Sequence, residues 1–374
     1  MADALYIHIP FCIKKCIYCD FISIPYDGAL AKGYADALCA ELRLRKDSAG
    51  ELKTVYFGGG TPSLMPEDFF ERLFSCIRDV FTISPSAEIS VEANPGTISI
   101  SKIGTLLSLG VNRVSIGVQS LHDEELRTLG RVHTSGEALK SVRLVKDLGV
   151  SNISLDLMYG IPWQTQETWR ETLNKTMELG PSHISAYEMT PEEKTPLYGL
   201  LKTGALELPD EGLVLEMYDS AIDFLSSNNY EHYEISNFAR PGSRCLHNMN
   251  YWNRGEYIAA GTGAHSFLQG LRAKNTSDVH AYIERMQGGL SPDVETTEVT
   301  PDESIREFIF LGLRKREGID LKDNKLRETA IASALDDLID RGHLEIVNDR
   351  LKLTRKGLVL SNSILVDLFE RLHL

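Results

Sequence analysis

The sequence predicts an α/β protein: an open, partial (β/α)6 barrel followed by a small winged-helix-like α+β domain. Three observations predict it. Short β-rich apolar runs alternate with amphipathic helical stretches through the first half, and polar side chains recur at every second position on several of those runs. Near residue 300 the pattern changes to helices around one short hairpin.

The strand candidates are ALYIHI near 4 to 9, TVYFGG at 54, EISVEAN at 88, RVSIGVQS at 113, NISLDLMYG at 152 and HISAYEM at 183. Between them lie charged stretches of helical period, among them ADALCAELRLR, PEDFFERLFSCIRDVF, GEALKSVRLVKDLG and QETWRETLNKTMELG. A repeated strand-helix unit implies parallel strands with helices packed outside. Six units by residue 190 are too few to close an eight-stranded, TIM-like barrel.

Strand parity sharpens this. Glu88, Ser90, Glu92 and Asn94 share one face of their strand, Ser115, Gly117 and Gln119 share another, and Ser154 and Asp156 oppose Ile153, Leu155 and Leu157. An ordinary barrel interior is filled by branched apolar side chains, so polar inner faces predict a lumen that holds a large polar ligand. The polar residues crowd toward the strands' C-terminal ends, the rim where barrel active sites form.

Residues 1–200 are read as the barrel and 201–290 as a region covering its open side, with a long amphipathic helix and the stretch HNMNYW at 247 to 252. Residues 284–304 read as a linker, rich in turn formers and acids. Residues 300–374 form the small domain, with Asn348 and Asp349 at the hairpin turn. Its 13 basic and 14 acidic residues lack the electrostatic footprint of a DNA binder, so a packing or partner role is expected.

With 374 residues and 43% hydrophobic content the chain can bury a sizeable core. Its net charge of −14 argues against nucleic acid or an anionic bilayer as a general partner. No apolar run approaches the roughly 18 to 20 residues that cross a bilayer, and MADALYIHIPFC carries no basic leader, so a cytoplasmic protein is expected. Six cysteines are sparse, and three of them fall in one loop, not in a disulfide framework.

That loop is FCIKKCIYCDF, with Cys12, Cys16 and Cys19. Three thiolates each hold one iron of a cubane iron–sulfur cluster and leave the fourth iron without a protein ligand. An open metal position is what a reactive site needs. The alternative is a zinc site completed by a distant His or Cys. Downstream, GGGTPS (58 to 63) follows the second strand and lets backbone approach a ligand; a tight strand-to-helix turn is the plainer reading. Cys39 and Cys76 sit on helix patterns and read as small buried hydrophobes, while His8 and His265 are ambiguous. Gly261 and Gly263 predict a close backbone approach.

The CxxxCxxC spacing resembles the radical S-adenosylmethionine (SAM) superfamily. The resemblance implies a 4Fe-4S cluster on Cys12, Cys16 and Cys19, with SAM chelating the open iron and its sulfonium cleaved to a 5′-deoxyadenosyl radical. YIHIPFC, CIYCDF, YFGGGTPS, EANP, GVQS and DLMYGIP together look like the anaerobic coproporphyrinogen III oxidase family and its haem chaperone branch. In the oxidase two SAM molecules are bound. The matching positions here are Tyr6, Gly59 and Glu92 for the first, and Tyr18, Gly60, Thr61, Gln119, Arg131 and Asp156 for the second. The approach at Gly261 and Gly263 would be to the adenosine of SAM.

Three features separate the branches. The oxidase pattern CxxxCxxCxC has a fourth cysteine where this chain has Phe21, the oxidase carries an N-terminal extension, and HNMNYW matches the HNxxYW signature of the haem chaperone branch. The resemblance therefore implies haem as cargo and membrane respiratory haem proteins as recipients; His247 is the candidate ligand with Cys245 as a second, and the plainer reading is that a histidine beside Asn, Tyr and Trp hydrogen-bonds inside a domain junction. A dimer is an assembly to test. Oxidative decarboxylation of coproporphyrinogen III is the alternative, and a radical-SAM reaction on another substrate the third reading.

Overall fold

The computed structural model describes residues 1–323 and 331–372. Six strands, β1 (Ala2–Ile9), β2 (Ala49–Gly59), β3 (Ile83–Ala93), β4 (Arg113–Gln119), β5 (Asn152–Tyr159) and β6 (His183–Glu188), are parallel and adjacent in chain order. Helices Gly28–Leu44, Glu67–Val80, Ile100–Ser108, Ser135–Asp147 and Gln166–Leu179 connect them. The partial barrel is the predicted one, and two edges extend it. Ile258–Ala260 adds a parallel strand beside β1, while Asn237–Ala239 and then Glu231–Glu234 continue antiparallel beyond β6.

Local sequence accounts for the boundaries. Asp27 caps its helix by accepting from Leu30 N, and Thr134 with Glu137 forms a capping box, so donors left unpaired by the first turn are satisfied. Outward strand residues such as Ile7, Phe57, Val91, Ile116 and Leu155 are buried under these helices. Phe57 shows the packing: its ring centroid lies 5.9 Å from that of Phe70 and 5.2 Å from that of Phe74 on the following helix. Burying each such ring stabilises by about 1.5–3 kcal/mol.

Register sets the inner face. Tyr6 pairs with Tyr56, Tyr56 with Ser90, Glu92 with Ser115, Gly117 with Asp156, and Asp156 with Ser185. Polar side chains from successive strands thus stack in layers around one lumen, as parity predicts.

The stretch 284–304 is not a linker. Helix Val279–Gln287 runs into it, with Val279, Tyr282, Ile283 and Met286 buried at helical spacing, and Asp293–Glu298 is a strand paired with Leu271–Asn275. This strand exposes nearly every side chain, so nothing apolar marks it; cross-strand backbone pairing creates it.

Beyond it come helix Pro301–Arg314, helix Ile331–Asp340, a hairpin of Leu344–Val347 and Arg350–Leu353, and helices Arg355–Val359 and Ser361–Leu372. Asn348 and Asp349 have φ of 53° and 61°, the left-handed pair a two-residue hairpin turn requires. Residues 324–330 and 373–374, which the small-domain reading includes, lie outside the described residues. Among the described residues no helix is long and apolar enough to cross a membrane.

Candidate cluster and cofactor site

The cysteine loop leaves β1 at the C-terminal rim. Phe11–Cys12 and Ile24–Pro25 pair in parallel and pinch its base, with Tyr26 N donating to Cys12 O at 2.9 Å. His8 Nε2 lies 2.9 Å from Ile22 O, and Ile17 N donates to Leu129 O at 3.3 Å, so the loop is tied to the barrel on two sides. His8 is thus a core hydrogen-bonding residue. Gly261 and Gly263 approach protein and not open space: a Cβ at Gly261 would lie 2.6 Å from His8 O and Tyr34 Oη, and one at Gly263 2.1 Å from Ile22 Cδ1. Cys39 and Cys76 are buried between helices, and His265 is exposed.

Cys12, Cys16 and Cys19 are partly buried free thiols on the wall of one cavity of about 520 Å³, within the usual range of small-molecule sites. Burial raises the Cys12 and Cys19 thiols, a bias that bound iron would reverse by stabilising thiolate. The surroundings suit an anionic sulfur-bound group. Arg131 Nη1 is 3.5 Å from Cys16 Sγ, and Thr61 Oγ1 donates toward Cys12 Sγ at 3.6 Å. Gly60 lies flush behind Cys12, where a Cβ would come within 3.0 Å of Cys12 Sγ and 2.8 Å of Phe11 O. Arg131 Nε is buried without a partner. Among the described residues no group of three or more His, Cys, Asp or Glu side chains converges on one point that could hold a single metal ion. In a cubane the three thiolates bind three different irons and need not converge on one point.

Most of the SAM positions expected from the resemblance come together here. Tyr18, Gly59, Gly60, Thr61, Glu92, Gln119, Arg131 and Asp156 all line the cavity. Gly59 has φ of 115°, and its N–H donates to Glu92 Oε2 at 3.1 Å. Gln119, at φ 66°, ends β4 beside a register shift that turns its side chain. Asp156 accepts from Ser115 Oγ at 3.1 Å. Burial, and then each other's charge in the case of Glu92, push the Glu92 carboxyl up to about 7 and Asp156 to about 6. Two carboxyls facing one lumen favour a cationic occupant.

Two expected residues lie lower. Tyr6 stacks on Tyr56 with ring centroids 6.2 Å apart, and its hydroxyl is 3.1 Å from His8 Nδ1. His247, the haem-ligand candidate, sits on the barrel floor at 1% exposure, its Nδ1 2.8 Å from Thr54 Oγ1 and its Nε2 2.9 Å from Tyr251 Oη. Cys245 is buried beside it, with Sγ 3.6 Å from Glu88 Oε1.

Sequence reasoning missed Tyr56 and, lower on the floor, Arg113, and placed Asn94 on the inner face without a role. Tyr56 Oη donates to Glu92 Oε1 at 2.9 Å; Asn94 bridges Thr61 Oγ1 at 2.8 Å and Arg131 Nη2 at 2.6 Å. Parity was the available signal, since Tyr56 is in phase with Gly58 and Arg113 with Ser115.

Comparisons with known proteins bear on the family and the fold. The radical SAM superfamily model matches residues 6–176, and the HemN C-terminal domain model matches 299–360. The haem chaperone HemW of Bacillus subtilis is 36% identical, with 96% of this chain and 97% of that protein aligned. The chain belongs to the HemW family of the radical SAM superfamily. The HemW of Escherichia coli is 35% identical, with 97% of each chain aligned. Among solved structures, the E. coli coproporphyrinogen III oxidase HemN superposes with a TM-score of 0.85 at 24% identity, covering 98% of this chain and 90% of that one. HemW relatives thus match throughout the chain, and the oxidase shares its fold.

Proposed function

We infer that the protein is a cytoplasmic haem-binding chaperone that carries a 4Fe-4S cluster on Cys12, Cys16 and Cys19, holds SAM in the adjoining cavity and hands haem to membrane respiratory haem proteins. The likeness to proteins named haem chaperone over 96% of the chain carries this reading. When bound, the cluster supplies an electron and an open iron to SAM. The protein's own residues do the rest. Arg131 and Thr61 contact the Cys16 and Cys12 sulfurs that would hold the cluster, Gly59 and Gly60 bring backbone close, and Glu92 and Asp156 offer negative charge to a cationic ligand.

Phe21 supports the chaperone over the oxidase. It occupies the place of the fourth cysteine, and on the cavity's mouth it is 64% exposed, beside Lys14 and Lys15. A flat apolar ring beside two cations suits a macrocycle with carboxylate arms, haem and the oxidase's substrate alike, so it is the missing fourth thiol that separates the two readings. His247 enters this reading as a haem ligand only in a state where helix Leu246–Trp252 has left the floor, because both ring nitrogens are engaged.

The test is anaerobic reconstitution of the full chain, with iron, sulfide and zinc quantified, haem titrated at the Soret band, and coproporphyrinogen III supplied with SAM and a reductant. Iron and sulfide lost in Cys16→Ser, saturable haem uptake and no protoporphyrinogen IX are expected. Haem uptake no better than by an unrelated acidic protein overturns the chaperone reading, and substrate conversion replaces it with the oxidase. Stoichiometric zinc without iron restores the zinc site. Sedimentation of the same sample decides whether a dimer forms.

A further inference from the structure

The HNMNYW segment closes the barrel floor, and the strands hold it there. Glu88 of β3 accepts from His247 N at 3.1 Å, so a strand carboxylate caps helix Leu246–Trp252, whose Cys245 N-cap makes no side-chain cap bond. Arg113 of β4 donates to Ser243 O at 2.7 Å and to Arg244 O at 3.0 Å. The His247 ring fits between Thr54 and Tyr251 with both nitrogens bonded, and burial pushes its pKa down to about 3, so the imidazole is neutral.

The face of that ring does something else. It stacks on Tyr56 with centroids 5.0 Å apart and planes 24° from parallel. On the rim side, Tyr56 is confined by Gly58, where a Cβ would come within 3.0 Å of Tyr56 Cε1. The phenol is thereby held between the floor and the glycine segment, and its hydroxyl donates to Glu92 Oε1 at 2.9 Å. The other oxygen of Glu92 takes the Gly59 amide. One continuous line of contacts runs from Thr54 through His247, Tyr56 and Glu92 to Gly59.

We propose that His247 is a positioning residue for the ligand cavity: it fixes the Tyr56 ring, and through it the Glu92 carboxyl and the Gly59 amide, instead of offering a nitrogen to haem iron. This rests on the reading that SAM lies against Gly59 and Glu92. The role needs an aromatic face, which His247 presents with its nitrogens tied down. It also accounts for a neutral, buried histidine that the cluster chemistry does not use.

The experiment follows the SAM-induced change in the electron paramagnetic resonance spectrum of the reduced cluster as SAM is added to the anaerobically reconstituted full chain. Haem is titrated in parallel. His247→Ala and Tyr56→Phe are expected to raise the half-saturating SAM concentration about tenfold, with haem titration unchanged. His247→Phe, which keeps a ring against Tyr56 without the hydrogen bonds, is expected to retain most of the SAM response. A His247→Ala variant that loses the Soret change while keeping the SAM response overturns the proposal in favour of iron ligation. So does a wild-type SAM response in Tyr56→Phe, or a His247→Phe variant as deficient as His247→Ala. If His247→Ala loses both responses, Tyr56→Phe and His247→Phe decide between positioning and iron ligation. A wild-type protein with no SAM response refutes the SAM reading itself, a separate failure.

Discussion

Arg113 Nε donates to Glu88 Oε2 across 2.9 Å on the barrel floor, where the side chains are 1% and 6% exposed. The pair joins β3 to β4 and, through their other atoms, holds residues 243 to 247 against both strands. Removing one member of such a pair leaves a buried charge uncompensated. Glu88→Ala is expected to destabilise by about 3–5 kcal/mol, read as a lower urea midpoint. A loss under about 1 kcal/mol would show that the floor segment is held by other means.

Gly60→Ala tests the fit of the cysteine loop. The φ of Gly60 is not left-handed, so the cost comes from space: a Cβ meets Phe11 O and Cys12 Sγ. Overpacking of this kind costs about 1–3 kcal/mol, within reach of a folded chain. The expected outcome is unchanged far-ultraviolet circular dichroism with a severalfold drop in iron retained after reconstitution. Full iron retention would mean that the loop can shift without consequence.

Arg131 ties the cysteine loop to two strands, bonding Asn94 Oδ1 at 2.6 Å and Gly117 O at 2.7 Å while reaching Cys16 Sγ. Charge-assisted bonds to a partly buried guanidinium make Arg131→Met costly, on the order of 3 kcal/mol. Cluster loss on exposure to a chelator is expected to be faster than in the wild type. Equal loss rates would leave Arg131 with a role in the cavity alone.

Glu92 and Asp156 predict a pH dependence in the cluster-free, ligand-free chain. Their folded values, about 7 and about 6, lie above the ordinary 4.5 and 3.8, so folding favours the protonated forms. That contribution is complete below about pH 4 and is lost as pH rises through 6 to 7, on the order of 3 kcal/mol for Glu92. Thermal unfolding at about pH 5.5 and about pH 8 checks it: the wild type is expected to lose more stability over that interval than Glu92→Gln. Equal losses in the two proteins would remove Glu92 as the cause.

Much of this was legible in the letters because it depends on short-range periodicity. The strand-helix alternation, the inward parity of Glu92, Ser115 and Asp156, and the left-handed turn at Asn348 and Asp349 each follow from a few adjacent residues. The edge strand Asp293–Glu298 was hidden because its partner, and not its own composition, makes it a strand. The glycines at 261 and 263 signalled close approach correctly, yet their neighbours, His8 and Ile22, lie more than two hundred positions away in the chain.

The sequence by itself determined the family, the partial barrel, the three thiols and the polar lumen, since motif spacing and side-chain alternation survive without coordinates. Only the tertiary structure decided where the HNMNYW histidine goes. Its spacing is compatible with an exposed ligand, but Glu88 and Arg113 pull the segment onto the floor and turn its ring toward Tyr56. Which partner a buried imidazole finds depends on contacts from distant segments, and such contacts leave no local period to read.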